Sequence, residues 1–148
     1  MNPDSTIDRT DSVVTFSIKE TLCAIDVLKI QEIIKTAGIT PVPLAPDDVT
    51  GIINLRGSIV TVIDLGIRLG LSQGPSPSPG VCCIIVVRGT EESIGLKVSA
   101  IGDVLDIDDR DMSLPPANIQ ECHGRCIRSV IRHEQGLIGL LDTDLVLS

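Results

Sequence analysis

VTGIINLRGSIVTVIDLGIRLGL, residues Val49 to Leu71, holds two short runs rich in β-branched side chains, Gly51 to Leu55 and Ser58 to Leu65, separated by Arg56-Gly57. β-Branched residues favour strands, and a glycine between two such runs supplies the positive φ that a tight hairpin needs. The stretch therefore reads as a β-hairpin with a single arginine at its tip. A turn arginine that satisfies nearby carbonyls and an arginine that contacts a partner are both compatible with that position.

Upstream, Val14, Phe16 and Ile18 alternate with Thr15, Ser17 and Lys19, the period of a half-buried strand, and Cys23, Ile25 and Val27 repeat it after a polar turn at Lys19 to Thr21. The run LKIQEIIK, Leu28 to Lys35, fits both a helical turn and a strand; it is read as a turn followed by a strand. Pro41, Pro43 and Pro46 exclude helix and impose an extended crossing before the hairpin. Downstream, residues 72–80 (SQGPSPSPG) carry three prolines and no apolar side chain, a surface loop.

The second half repeats the first. An offset of 71 sets Ile25 on Leu96, Val27 on Val98, Ile30 on Ile101, Glu32 on Asp103 and Ile33 on Val104. An offset of 78 sets Ile52 on Val130, Ile53 on Ile131, Ile59 on Leu137, Val62 on Leu140, Ile63 on Leu141 and Asp64 on Asp142. The difference between the offsets implies an insertion in the second unit, placed around Asp108 to Cys122. Two β units of about sixty residues, each too small for a large core, are expected to pack as one body with a groove between them. The expected division is a flexible tail at 1–12, a first unit mainly at 13–71, the loop 72–80 and a second unit mainly at 81–148.

Composition narrows the function. The chain has 148 residues, 43% of them hydrophobic, but Phe16 is its only aromatic ring, so the core is aliphatic. A net charge of -8, with no basic stripe and no stacking aromatics, argues against nucleic acid. The longest apolar run, Val81 to Val87, is far short of the ~20 residues that span a bilayer. The acidic start, MNPDSTIDRTDS, is unlike a signal peptide, so a cytosolic protein is expected, and five cysteines there read as reduced thiols.

The segments IDVLKIQEII (Ile25 to Ile34), TPVPLAPDDVTGIINLRGSIVTVIDLGIRLGL (Thr40 to Leu71), IGLKVSAIGDVLDI (Ile94 to Ile107) and LIGLLDTDLV (Leu137 to Val146) resemble the CheW family of chemotaxis coupling proteins. The resemblance runs over nearly the whole chain, and its most specific element is the GxxNLRGxIxxVIDL pattern. It implies an all-β fold of two intertwined five-stranded SH3-like barrels packed through an aliphatic core, with short helical turns and no catalytic activity. It also implies two partners, the regulatory domain of a CheA-type histidine kinase and the cytoplasmic tip of a methyl-accepting chemoreceptor, with recruitment to receptor arrays. On this chain the kinase-binding candidates are Ile30, Glu32, Ile33, Gly51, Arg56 and Gly57. The receptor-binding candidates are Val27, Val98 and Ile101, near the groove between the barrels. No cofactor is implied.

Chemical alternatives are weaker. Cys122, His123 and Cys126, with His133 beyond, include zinc-type ligands, and a thiol- or zinc-based redox sensor on the same fold is the alternative function. Their spacing gives one ligand pair rather than two. Vicinal Cys82 and Cys83 are expected on opposite faces of a strand, as packing residues. Asp64 and Asp142 are equivalent strand ends of the repeat rather than a catalytic dyad. Asp106, Asp108, Asp109 and Asp111 imitate a calcium loop, but Asp111 replaces the required glycine and Ala117 the closing glutamate. That cluster is expected to open a solvated helical turn.

Overall fold

The computed structural model describes residues 12–36, 38–71, 82–89, 91–107, 112–113, 127–134 and 136–147. Eleven strands lie among them: β1 (Ser12–Ile18), β2 (Thr21–Asp26), β3 (Ile30–Thr36), β4 (Val49–Leu55), β5 (Ser58–Asp64), β6 (Cys82–Arg88), β7 (Ser93–Val98), β8 (Ala100–Asp106), β9 (Met112–Ser113), β10 (Ile127–His133) and β11 (Gly136–Leu141). A 3₁₀ turn spans Val27–Lys29, and two short helices, α1 (Leu65–Arg68) and α2 (Thr143–Leu147), follow β5 and β11. The turn-then-strand reading of LKIQEIIK matches the 3₁₀ turn and β3. The second apolar run of the hairpin ends one residue earlier than expected, because Asp64 caps α1 by accepting the Ile67 amide at 3.2 Å.

The strands form two sheets, ordered β8-β1-β2-β11-β10-β9 and β3-β6-β7-β5-β4. Each curls as an SH3-like barrel. One has a sixth strand, β9, of two residues, paired through Ser113 to Val130. In the other, Thr40 makes the corresponding bridge to Ile52.

The barrels exchange strands. β1 and β2, from the first repeat, sit beside β8, β10 and β11 of the second, while β6 and β7 sit beside β3, β4 and β5 of the first. The boundary between the repeats therefore does not divide the barrels, since each barrel takes strands from both repeats. The exchange is made by the parallel pairs β2·β11 and β5·β7 and the antiparallel pairs β1·β8 and β3·β6, each joining strands from different repeats. The pairing is equivalent in both barrels. Phe16 lies opposite Cys23 and Ile101, and Val87, 71 residues on, lies opposite Ile94 and Ile30.

Three aliphatic clusters hold this arrangement. Ile53, Val60, Val62, Ile84 and Val86 fill one barrel, and Val13, Ala24, Ile131, Ile138 and Leu140 fill the other. The third lies between the sheets and joins Val14, Phe16, Ile18, Cys23 and Ile25 to Ile85, Val87, Leu96 and Val98. β1 therefore departs from the half-buried strand expected from its alternation. Its Val14 face meets the central cluster, and Val13 on its other face meets the barrel interior. Thr15 is buried as well, with its hydroxyl donating to the Asp103 carbonyl at 2.8 Å.

Cys23 belongs to the central cluster, and burial pushes its thiol from the usual 9.0 up to about 12. The folded-state value is raised, so the associated stability is fully present below pH 9.0 and is lost as pH climbs towards 12. The expected loss is about 1.4 kcal/mol per pH unit over that window. Urea midpoints of wild type and Cys23→Ala, compared from about pH 8 to about pH 11, should converge as pH rises. A constant gap would place the thiol in contact with water.

Candidate functional site

The hairpin β4–β5 closes through Arg56-Gly57 with both residues at positive φ, 53° and 86°, the geometry of a two-residue type I′ turn. Asn54 contributes to the reversal by accepting the Gly57 amide at 2.9 Å through its Oδ1. Glycine adopts positive φ freely, but an arginine there costs about 1–2 kcal/mol. Arg56 is nevertheless held at the tip, with 75% of its side chain exposed.

The guanidinium reaches Glu32 on β3. Its Nη1 donates to Oε1 at 2.5 Å and its Nη2 to Oε2 at 3.1 Å, a two-pronged arrangement in which the carboxylate is only 19% exposed. β3 and β4 are the outer strands of their sheet, so this pair ties the hairpin tip to the opposite edge. Glu32 shares the inward side of β3 with Ile34, which packs on the barrel interior as Leu55 does. One edge of the guanidinium is thus fixed by a sheltered carboxylate, and the remainder faces water.

The other kinase-binding candidates differ in kind. Ile33 points outward and is exposed, whereas Ile30 is half-buried against the central cluster. Gly51 is buried, and a Cβ there would lie 2.2 Å from the Thr40 carbonyl oxygen, so it serves close backbone approach and presents no side chain. Beside the hairpin runs a groove of about 320 Å³ whose walls include Arg56, Ile59, Val60 and Glu92.

Residues 12–148 match the CheW-like domain. The chain belongs to the CheW-like domain family. It is 30% identical over 134 residues to the chemotaxis protein CheW of Rhizobium meliloti, covering 90% of this chain and 85% of that one. Against the chemotaxis protein CheW of Thermotoga maritima it is 33% identical over 135 residues, covering 91% and 86%. The crystal structure of the scaffolding protein TtCheW from Thermoanaerobacter tengcongensis superposes with a TM-score of 0.81 at 28% identity, over 95% of this chain and 89% of that one.

Within this CheW-like domain, Val27, Val98 and Ile101 gather around the central cluster. Val98 is one of its buried members, so its side chain is not available at a surface, while Val27 and Ile101 are half-buried at its margin. Sequence reasoning selected Glu32 and Arg56 separately and missed their pairing. Opposite charges 24 residues apart, one on a strand and one on a turn, carry no periodic signal.

Asp64, which ends β5, and Asp142, the residue after β11, both cap helices. Asp142 Oδ1 accepts the amides of Asp144 and Leu145 at 3.0 and 3.3 Å. An aspartate before an apolar turn was the legible cue. Arg68 on α1 bridges the repeats, donating to Asp48 Oδ2 at 2.7 Å and to the Val146 carbonyl at 2.9 Å. Of the acidic cluster, Asp106 ends β8 rather than opening a helix, and Ser12 Oγ donates to it at 2.7 Å. Cys122, His123 and Cys126, together with Asp108, Asp109, Asp111, Ala117 and the loop 72–80, lie outside the described residues.

Proposed function

We propose that the chain is a non-catalytic scaffold that couples chemoreceptors to a CheA-type histidine kinase in chemosensory signalling. The observation that carries this reading is Arg56, held at an unfavourable backbone angle with its guanidinium braced on Glu32 and otherwise open to solvent. A braced, exposed arginine loses little freedom on docking, which suits an interface anchor. Relatives named chemotaxis protein CheW and a structure titled as a scaffolding protein support the same reading.

In this scheme Arg56, Gly57 and Ile33 face the kinase regulatory domain, Glu32 orients the arginine, and Ile30 and Gly51 support the strands beneath. Val27 and Ile101 border the receptor contact, with Val98 packed under them. Simultaneous occupancy transmits receptor state to the kinase as a coupling free energy. No helix among the described residues is long and apolar enough to cross a membrane, and recruitment to an array then runs through the receptor.

The test is binding to a CheA-type regulatory domain from the same source. Wild type is expected to bind at tens of micromolar or tighter, and Arg56→Ala at least about tenfold more weakly, equivalent to ~1.4 kcal/mol. The same substitution should change unfolding stability by less than about 1 kcal/mol, because the arginine it removes is 75% exposed and its pairing is screened by solvent. Failure of wild type to bind removes the coupling reading; equal binding by Arg56→Ala removes only the assigned anchor.

A further inference from the structure

β3 and β8 carry the same irregularity. Gln31 and Glu32 stand opposite the one residue Val86, and Gly102 and Asp103, 71 residues on, stand opposite Thr15. Such a bulge re-aims a side chain out of the regular alternation of a strand. In the second barrel it presents none, since residue 102 is glycine and a Cβ there would lie 2.5 Å from Thr15 Oγ1. In the first barrel it presents an exposed glutamine. The bulge is shared scaffold, whereas the amide, like Arg56, occurs in one barrel only.

That amide is held in place. Ser93 Oγ on β7 donates to Gln31 Oε1 at 2.6 Å, which fixes the carbonyl end and leaves the two N–H groups as donors. Gln31 and Ser93 line the same groove as Arg56, Ile59 and Glu92. Two donor groups, Arg56 oriented by Glu32 and Gln31 oriented by Ser93, therefore border one cavity of about 320 Å³. The exposed carboxylate of Glu92 borders it as well. Paired donors that include a guanidinium favour a carboxylate, and Glu92 favours a cation.

We propose, on the reading that this face docks a kinase regulatory domain, that Gln31 is a further specificity-determining residue. Its amide and the Arg56 guanidinium share one carboxylate of the partner, and Glu92 takes a neighbouring basic side chain. Ser93 acts through Gln31 and is a positioning residue.

Calorimetric titration with a CheA-type regulatory domain from the same source tests the contact in charge-graded variants. Gln31→Lys is expected to bind at least as tightly as wild type and Gln31→Met about fivefold more weakly. Gln31→Glu should bind about thirtyfold more weakly, because an acid then faces an acid. Raising the salt from about 0.05 to about 0.5 M should shrink the Gln31→Glu penalty and leave that of Gln31→Met unchanged. Ser93→Ala is expected to weaken binding about threefold, Ser93→Thr to restore it, and Ser93→Ala to add nothing in a Gln31→Met background. Urea midpoints of the Gln31 variants should match wild type, since that side chain is exposed. Equal binding by Gln31→Lys and Gln31→Glu overturns the proposal, as does tighter binding by Gln31→Glu, and an additive Ser93→Ala loss removes the positioning role. A wild type that fails to bind at all removes the docking reading itself, and this contact with it.

Discussion

Phe16→Ala is expected to lower the free energy of unfolding by about 3–5 kcal/mol, a large share of what a domain of this size possesses. The ring is the only aromatic in the chain and is 1% exposed. It projects from β1 into the cluster between the sheets, where side chains from both barrels meet. Truncation removes the largest buried side chain of that cluster, and the rigid strands around it cannot close the cavity. Urea unfolding measures the effect directly, and the thermal midpoint should fall by roughly 10 °C or more. Val87→Ala, at the equivalent position of the other repeat, removes less volume and should cost less. A loss under about 1 kcal/mol for Phe16→Ala would mean that the two barrels do not share one close-packed core.

Gly51→Ala should cost about 3 kcal/mol, although it adds one methyl group. The new Cβ would sit 2.2 Å from the Thr40 oxygen, 2.8 Å from the Thr40 carbonyl carbon and 2.9 Å from Ile39 Cγ2. Two of these three are backbone atoms, so a rotamer change cannot relieve the clash. Thr40 and Ile52 must separate, and the two hydrogen bonds between them, both 2.8 Å, are lost. Accelerated hydrogen exchange at the Ile52 amide would report that separation. The variant also tests the site. It disturbs the strand leading to Arg56 while leaving the Arg56–Glu32 pair intact, so under the proposed function weaker binding to a CheA-type regulatory domain should come with lower stability. Arg56→Ala should show weaker binding alone. Undiminished stability of Gly51→Ala would show that the Thr40 bridge contributes nothing to holding β4.

The strands and turns of the first half were legible because each reports local chemistry. Alternation marked β1 and β2, the prolines excluded helix at 41–46, and Arg56-Gly57 between two β-branched runs marked the hairpin. Apolar matching at offsets of 71 and 78 exposed the repeat. Site residues were legible mainly by type: an arginine at a hairpin tip and an acid in an apolar strand stand out against their neighbours. Val98 was misplaced towards a surface because an apolar residue in a strand has the same letter whether it lines a groove or lies beneath it.

The sequence by itself determined the class of the fold and the position of the arginine-tipped hairpin, since these depend on neighbours two to a few residues apart, and its duplication, since the apolar pattern matches itself at offsets of 71 and 78. Only the tertiary structure decided which strands share a barrel. Each repeat is too small to bury its own apolar faces fully, and the exchange of β1 and β2 for β6 and β7 places both sheets on a common core. The same closure brought Glu32 within reach of Arg56, an encounter of opposite sheet edges that no local pattern encodes.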